Sequence, residues 1–90
     1  MKKVYVIYLA DEKNSEEASK LIRENLKGFD IREDFYFDAS FKERMKKAYE
    51  FSESTLLVED EAFYNGEVIL KDQFSGEQIS VEFESLTGVL

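Results

Sequence analysis

Val4-Tyr5-Val6-Ile7-Tyr8-Leu9-Ala10 is an unbroken apolar run of β-branched and aromatic side chains. A strand with one wet face alternates apolar with polar, so this continuity predicts a strand dry on both faces, with helices packed above and below it. The flanking sequence supplies those helices. After the polar loop Ala10-Asp11-Glu12-Lys13, Asn14 with Glu17 three residues on reads as an N-cap and capping box. Ala18, Leu21, Ile22 and Leu26 then recur at three- and four-residue spacing as one apolar stripe, with Lys20, Arg23, Glu24 and Lys27 on the wet face. Gly28 is expected to end this helix, because glycine accepts the left-handed conformation of a C-cap.

Further out, residues 31–37 read as a second strand near the sheet edge, with Ile31, Phe35 and Phe37 on one face and Arg32, Asp34 and Tyr36 on the other. Ser40 and Glu43 make a second capping box, opening a helix that runs to about Ser52 and buries Phe41, Met45, Ala48 and Tyr49. Residues 55–58 form strand three. The order βαβαβ implies parallel strands joined by right-handed crossovers. Only residues 59–66 separate strand three from strand four at residues 68–70, too few for a crossover helix, so strand four is expected to run antiparallel. Strand five, residues 79–83, follows a hairpin turn at Phe74-Ser75-Gly76-Glu77, and residues 84–90 read as the stub of a last helix. The expected architecture is one α/β domain over residues 1–90. It has three layers: a mixed five-stranded sheet, with three parallel strands plus an antiparallel hairpin, and helices on both faces.

Ninety residues, 43% of them apolar and including eight Phe and five Tyr, can build one packed core that hides roughly 60 to 70% of the surface of the unfolded chain. The chain holds no His and no Cys, which removes imidazole bases, thiolate nucleophiles, zinc sites with N/S ligands and disulfides. Lys2 and Lys3 precede only seven apolar residues, too short a run for a membrane span and without a cleavage signal after it, so a cytoplasmic protein is expected. Net charge is −8, unevenly spread. Residues 1–47 hold eleven Lys/Arg against ten Asp/Glu, whereas residues 48–90 hold one against ten. Such a balance repels bulk nucleic acid, so any RNA contact must be local.

Two charged constellations stand out. Glu59-Asp60-Glu61 follows strand three and faces Asp11 and Glu12 if strands one and three are neighbours, at the rim where open α/β sheets bind ligands. Carboxylates there could hold magnesium and, with Lys71, resemble the phospho-acceptor pocket of response-regulator receivers, but the chain lacks two α/β units of that fold. They read as solvated loop acids. Lys42, Arg44, Lys46 and Lys47, with Glu43 among them, put a net charge of +3 on one helix as a continuous patch, the best candidate for phosphate contact. The aromatics Tyr5, Tyr8, Phe35, Phe37, Phe41 and Phe51 read as core and not as base-stacking platforms. Eight serines have no His to activate them, and there is no glycine-rich phosphate loop, so the domain is not expected to catalyse a reaction by itself. No cofactor is expected.

The stretch Leu56-Leu57-Val58-Glu59-Asp60-Glu61, then Asn65-Gly66-Glu67-Val68-Ile69-Leu70-Lys71-Asp72, then Ser75-Gly76-Glu77-Gln78 and Val81, resembles the end of the anticodon-binding domain of histidyl-tRNA synthetases. The opening Val4-Tyr5-Val6-Ile7-Tyr8-Leu9, the helix with Ala18, Leu21, Ile22, Arg23 and Leu26, and Ser40-Phe41-Lys42 leading to Met45-Lys46-Lys47-Ala48 agree as well. The resemblance, to the class II aminoacyl-tRNA synthetases generally, implies a module that grips a tRNA anticodon loop, with tRNA-His the implied partner. It also implies a catalytic synthetase domain elsewhere, the whole acting as a histidine-tRNA ligase. It assigns base contacts to Glu61 and Lys71, beside the phosphate candidates Lys42, Arg44, Lys46 and Lys47. Three departures are visible: Val58 where the family has glycine, Ala39 where it has arginine, and a turn at residues 62–65 longer by one. A second function from another class stays open, a regulatory or protein-interaction domain derived from a synthetase and no longer holding tRNA. Neither reading involves a membrane or DNA.

Overall fold

The computed structural model describes residues 1–90. The apolar opening forms β1 (Lys3–Tyr8), in which every residue from Val4 to Tyr8 is at most 2% exposed. It is followed by α1 (Glu12–Asn25), β2 (Asp30–Asp34), α2 (Phe41–Phe51), β3 (Ser54–Val58), a one-turn α3 (Asp60–Tyr64), β4 (Glu67–Asp72) and β5 (Gln78–Glu82). A 3-10 turn (Phe83–Ser85) leads into a short α4 (Leu86–Val89). The five strands form one sheet in the order β2-β1-β3-β4-β5. β1 pairs in parallel with β2 and β3, while β4 runs antiparallel to β3 and to β5. The expected three-layer mixed sheet is therefore the observed one, with β2 at an edge.

Alternation along the strands divides the core in two. Val4, Val6, Tyr8, Leu56, Val58, Val68 and Val81 point to one face, where Ala18 and Ile22 of α1, Leu26 just after it, and Phe83 and Leu86 near the C-terminus cover them. Tyr5, Ile7 and Leu57 point to the other, covered by Met45 and Ala48 of α2. Thirteen buried residues against five make the first face the main apolar store, and the smaller face is completed by charge, as described below.

Several element ends differ from expectation for identifiable reasons. Asp11, not Asn14, caps α1: its carboxylate accepts from the Asn14 backbone N–H at 2.8 Å, so the helix starts earlier and buries Asn14 and Ser15 in its first turns. Leu26 is the C-cap, and Gly28, at φ +89°, sits in the turn beyond it. β2 stops at Asp34 because the Asp34 carboxylate accepts from the Tyr36 N–H at 2.8 Å, a side-chain turn that bends the backbone out of the sheet. Residues 35–37 are therefore loop, and the expected face assignment holds for Ile31, packed on the core, and the exposed Arg32 but inverts beyond them: Asp34 is fully buried, whereas Phe35 and Phe37 are 42% and 52% exposed. In α2, Ser40 accepts from the Glu43 N–H at 3.1 Å as its capping role requires. The buried stripe there is rotated toward Arg44, Met45 and Ala48, leaving Phe41 and Tyr49 substantially exposed. The link from β3 to β4 holds a single helical turn, and β4 is antiparallel as its shortness demands.

Candidate nucleic-acid interface

The three parallel strands end at one rim, from which the α1 cap, the β2–α2 loop and α3 emerge. Asp60 at the start of α3 joins the first and last of these: one carboxylate oxygen accepts from the Asp11 N–H at 3.0 Å and from the Asn14 side-chain amide at 2.9 Å. Those two donors, the Asn14 amide foremost, hold the Asp60 carboxyl below its ordinary range. The acids of this rim thus order two loops, and no group of three or more is placed to hold a metal ion.

Arg44 corrects the basic patch. It is 3% exposed, and its guanidinium donates to the Asp34 carboxylate at 3.1 Å, to the Tyr8 carbonyl at 2.9 Å and to the Asp34 carbonyl at 3.0 Å. The Tyr5 hydroxyl donates to the other Asp34 oxygen at 2.7 Å. Arg44 therefore fastens α2 to the ends of β1 and β2 and offers nothing to a surface ligand. Lys42, Lys46 and Lys47 remain exposed on α2. Lys47 lies 4.9 Å from the centre of the Tyr36 ring, and Arg32 lies 4.4 Å from that of Phe51. Arg32 and Lys47 belong to one cleft of about 370 Å³ with Tyr5, Tyr36, Glu50 and Phe51. Arg32 is a cation that sequence reasoning places merely on a strand face.

Glu61 and Lys71 do not converge. Glu61 is exposed on α3, near the start of β4, whereas Lys71 is half-buried near the end of β4, paired with Thr55 at the start of β3. Four strand residues, roughly 13 Å of rise, separate Glu67 from Lys71.

The aromatics of the rim are not the core residues that the sequence suggests. Phe35 stacks on Tyr8 with ring centres 4.3 Å apart and planes 2° apart, and Phe37 follows at 6.5 Å from Phe35. Tyr36 and Phe41 are also open, at 61% and 43% exposure. A signal is present in the chain: Phe35-Tyr36-Phe37 lies between an Asp and the Asp38-Ala39-Ser40 turn, where a strand has no room to continue. Across the sheet, Glu33 accepts from Tyr8, Ser19 and Arg23. Burial works to raise its carboxyl, but these donors hold it below the usual range.

No protein-family model and no curated protein matches the sequence. Solved structures match its fold. Histidyl-tRNA synthetase from S. aureus superposes with TM-score 0.71 at 19% identity over 97% of this chain and 25% of that one. The RNA-binding domain of threonyl-tRNA synthetase from Cryptosporidium parvum Iowa II gives 0.79 at 19% over 94% and 22%, and histidyl-tRNA synthetase from Nostoc sp. PCC 7120 gives 0.74 at 17% over 93% and 20%. The chain spans a fifth to a quarter of the length of these proteins. The correspondence runs through nearly all of its elements, and the chain has the fold of the anticodon-binding domains of class II aminoacyl-tRNA synthetases.

Proposed function

We propose that the chain is an RNA-binding module whose ligand is a tRNA, with tRNA-His the first to test. One observation carries the reading. In a chain of net charge −8, three of the eight exposed lysines, Lys42, Lys46 and Lys47, share α2, where Lys47 lies 4.9 Å from the exposed Tyr36 ring, on a fold that synthetases use for RNA. Lys42, Lys46 and Lys47 take phosphates, and Glu61 and Lys71 reach different nucleotides from opposite ends of β4. Joined to a catalytic domain, the module would serve a histidine-tRNA ligase; its own residues bind and position. It acts where its ligand is, in the cytoplasm.

Titration of labelled tRNA-His at low salt tests this. Binding is expected, weakened by about tenfold or more in the Lys46→Glu, Lys47→Glu variant, with the salt slope reduced by about 0.7 for each loop phosphate that is no longer neutralised. Absence of binding at about 100 μM, where non-specific contacts already register, overturns the reading. The competing reading, a protein-interaction domain, draws on the free edge of β5, where Ile79 is 52% exposed next to a turn bearing Phe74 at 77%. Concentration-dependent sedimentation together with no RNA affinity would favour it.

A further inference from the structure

We propose that the cleft between the first turns of α1 and the β2–α2 loop takes one unstacked RNA base bearing an exocyclic amino group. The inference rests on the RNA-binding reading above and adds a base-selecting site to it. The cleft measures about 510 Å³, with Phe35 and Phe37 forming one wall and Asp11, Glu12 and Glu16 another, over Ala10 and Ser15. The aromatic wall is preformed: Tyr8, fully buried, backs the Phe35 ring in parallel contact, so the ring keeps its position without a ligand. Two Phe rings half in water on an ordered loop are an unsatisfied apolar surface of the shape and size that a base covers by stacking.

The opposite wall sets the preference. Both carboxylate oxygens of Asp11 are committed to Asn14, through its backbone N–H and its side-chain amide. Glu12 and Glu16, one helical step apart and exposed, are left as acceptors without donors of their own. Carboxylates accept only, so they favour a base edge that presents N–H groups and repel one that presents a carbonyl. Cytosine offers its N4 amino group at the position where uracil offers O4. The same acids exclude phosphate from the cleft and direct the backbone over the rim. There Phe37 lies 5.8 Å from the Arg44 guanidinium, and Tyr36, Lys47 and Lys42 continue onto α2.

Short labelled oligo(C) and oligo(U), titrated at low salt against the wild-type domain, make the comparison at constant backbone charge. Oligo(C) is expected to bind about tenfold more tightly. Phe37→Ala should weaken oligo(C) by about tenfold. Glu12→Ala with Glu16→Ala should bring the two affinities together, a ratio that a uniform electrostatic gain in affinity does not move. Equal affinities in the wild type, still abolished in Lys46→Glu, Lys47→Glu, would overturn the base site and leave the lysine interface standing. A cytosine preference that survives the paired Glu substitutions would overturn it as well. Failure of both oligonucleotides to bind a protein that still binds tRNA-His would overturn the site alone, and failure of the tRNA as well would overturn the reading beneath it.

Discussion

Arg44 looks like a member of a cationic helix surface until its partner is placed. That partner, Asp34, comes from the end of β2, and the pair is 4% and 0% exposed at its side chains. Removing one member leaves a buried charge, so Arg44→Met is expected to cost about 3–5 kcal/mol in denaturant unfolding, while Asp34→Asn with Arg44→Met recovers part of the loss. Glu33, the neighbouring residue on β2, points to the opposite face. Its carboxyl is held low by Ser19, Tyr8 and Arg23, so it binds its proton less readily folded than unfolded. The resulting stability is present above the unfolded value of about 4.3 and is lost as pH falls through the folded one. Glu33→Gln should therefore be less stable than wild type at pH 7, with the gap in thermal melts narrowing as pH falls below the unfolded value and closing once it passes the folded one. Tyr8 beneath it is pushed above the ordinary phenol range, first by its own burial and then by donating to Glu33.

Elements declare themselves in the sequence where the cause is local. The run from Val4 has to be interior, Ser40 has to start α2, and the short link after β3 has to return antiparallel, each for reasons contained in a few consecutive residues. Ends decided by distant or competing groups do not. Two capping candidates lie three residues apart, and Asp11 wins because its carboxylate meets the helix while Asn14 turns to Asp60. Asp11→Ala is expected to destabilise the domain by about 1 kcal/mol and to raise amide exchange in the first turn of α1. The site is half legible for the same reason. Lys42, Lys46 and Lys47 can be placed on a helix surface from spacing, but that β2 stops at Asp34 and turns Phe35 and Phe37 outward depends on a side-chain turn that periodicity does not record.

For the whole molecule, opposing edges and opposing charges matter most. β2 borders the sheet with Asp30, Arg32, Glu33 and Asp34, whereas β5 borders it with Gln78, Ile79, Ser80, Val81 and Glu82. The second is a nearly neutral ribbon with no lysine or proline to discourage a neighbour. Ten acids against a single lysine in residues 48–90, a liability for holding RNA, surround that ribbon with a like-signed field. The acidity that weakens nucleic-acid affinity is thus a guard against stacking copies side by side into longer sheets. Near the isoelectric point of about 4.5 the guard stands down, and the bare border becomes the seed of an aggregate.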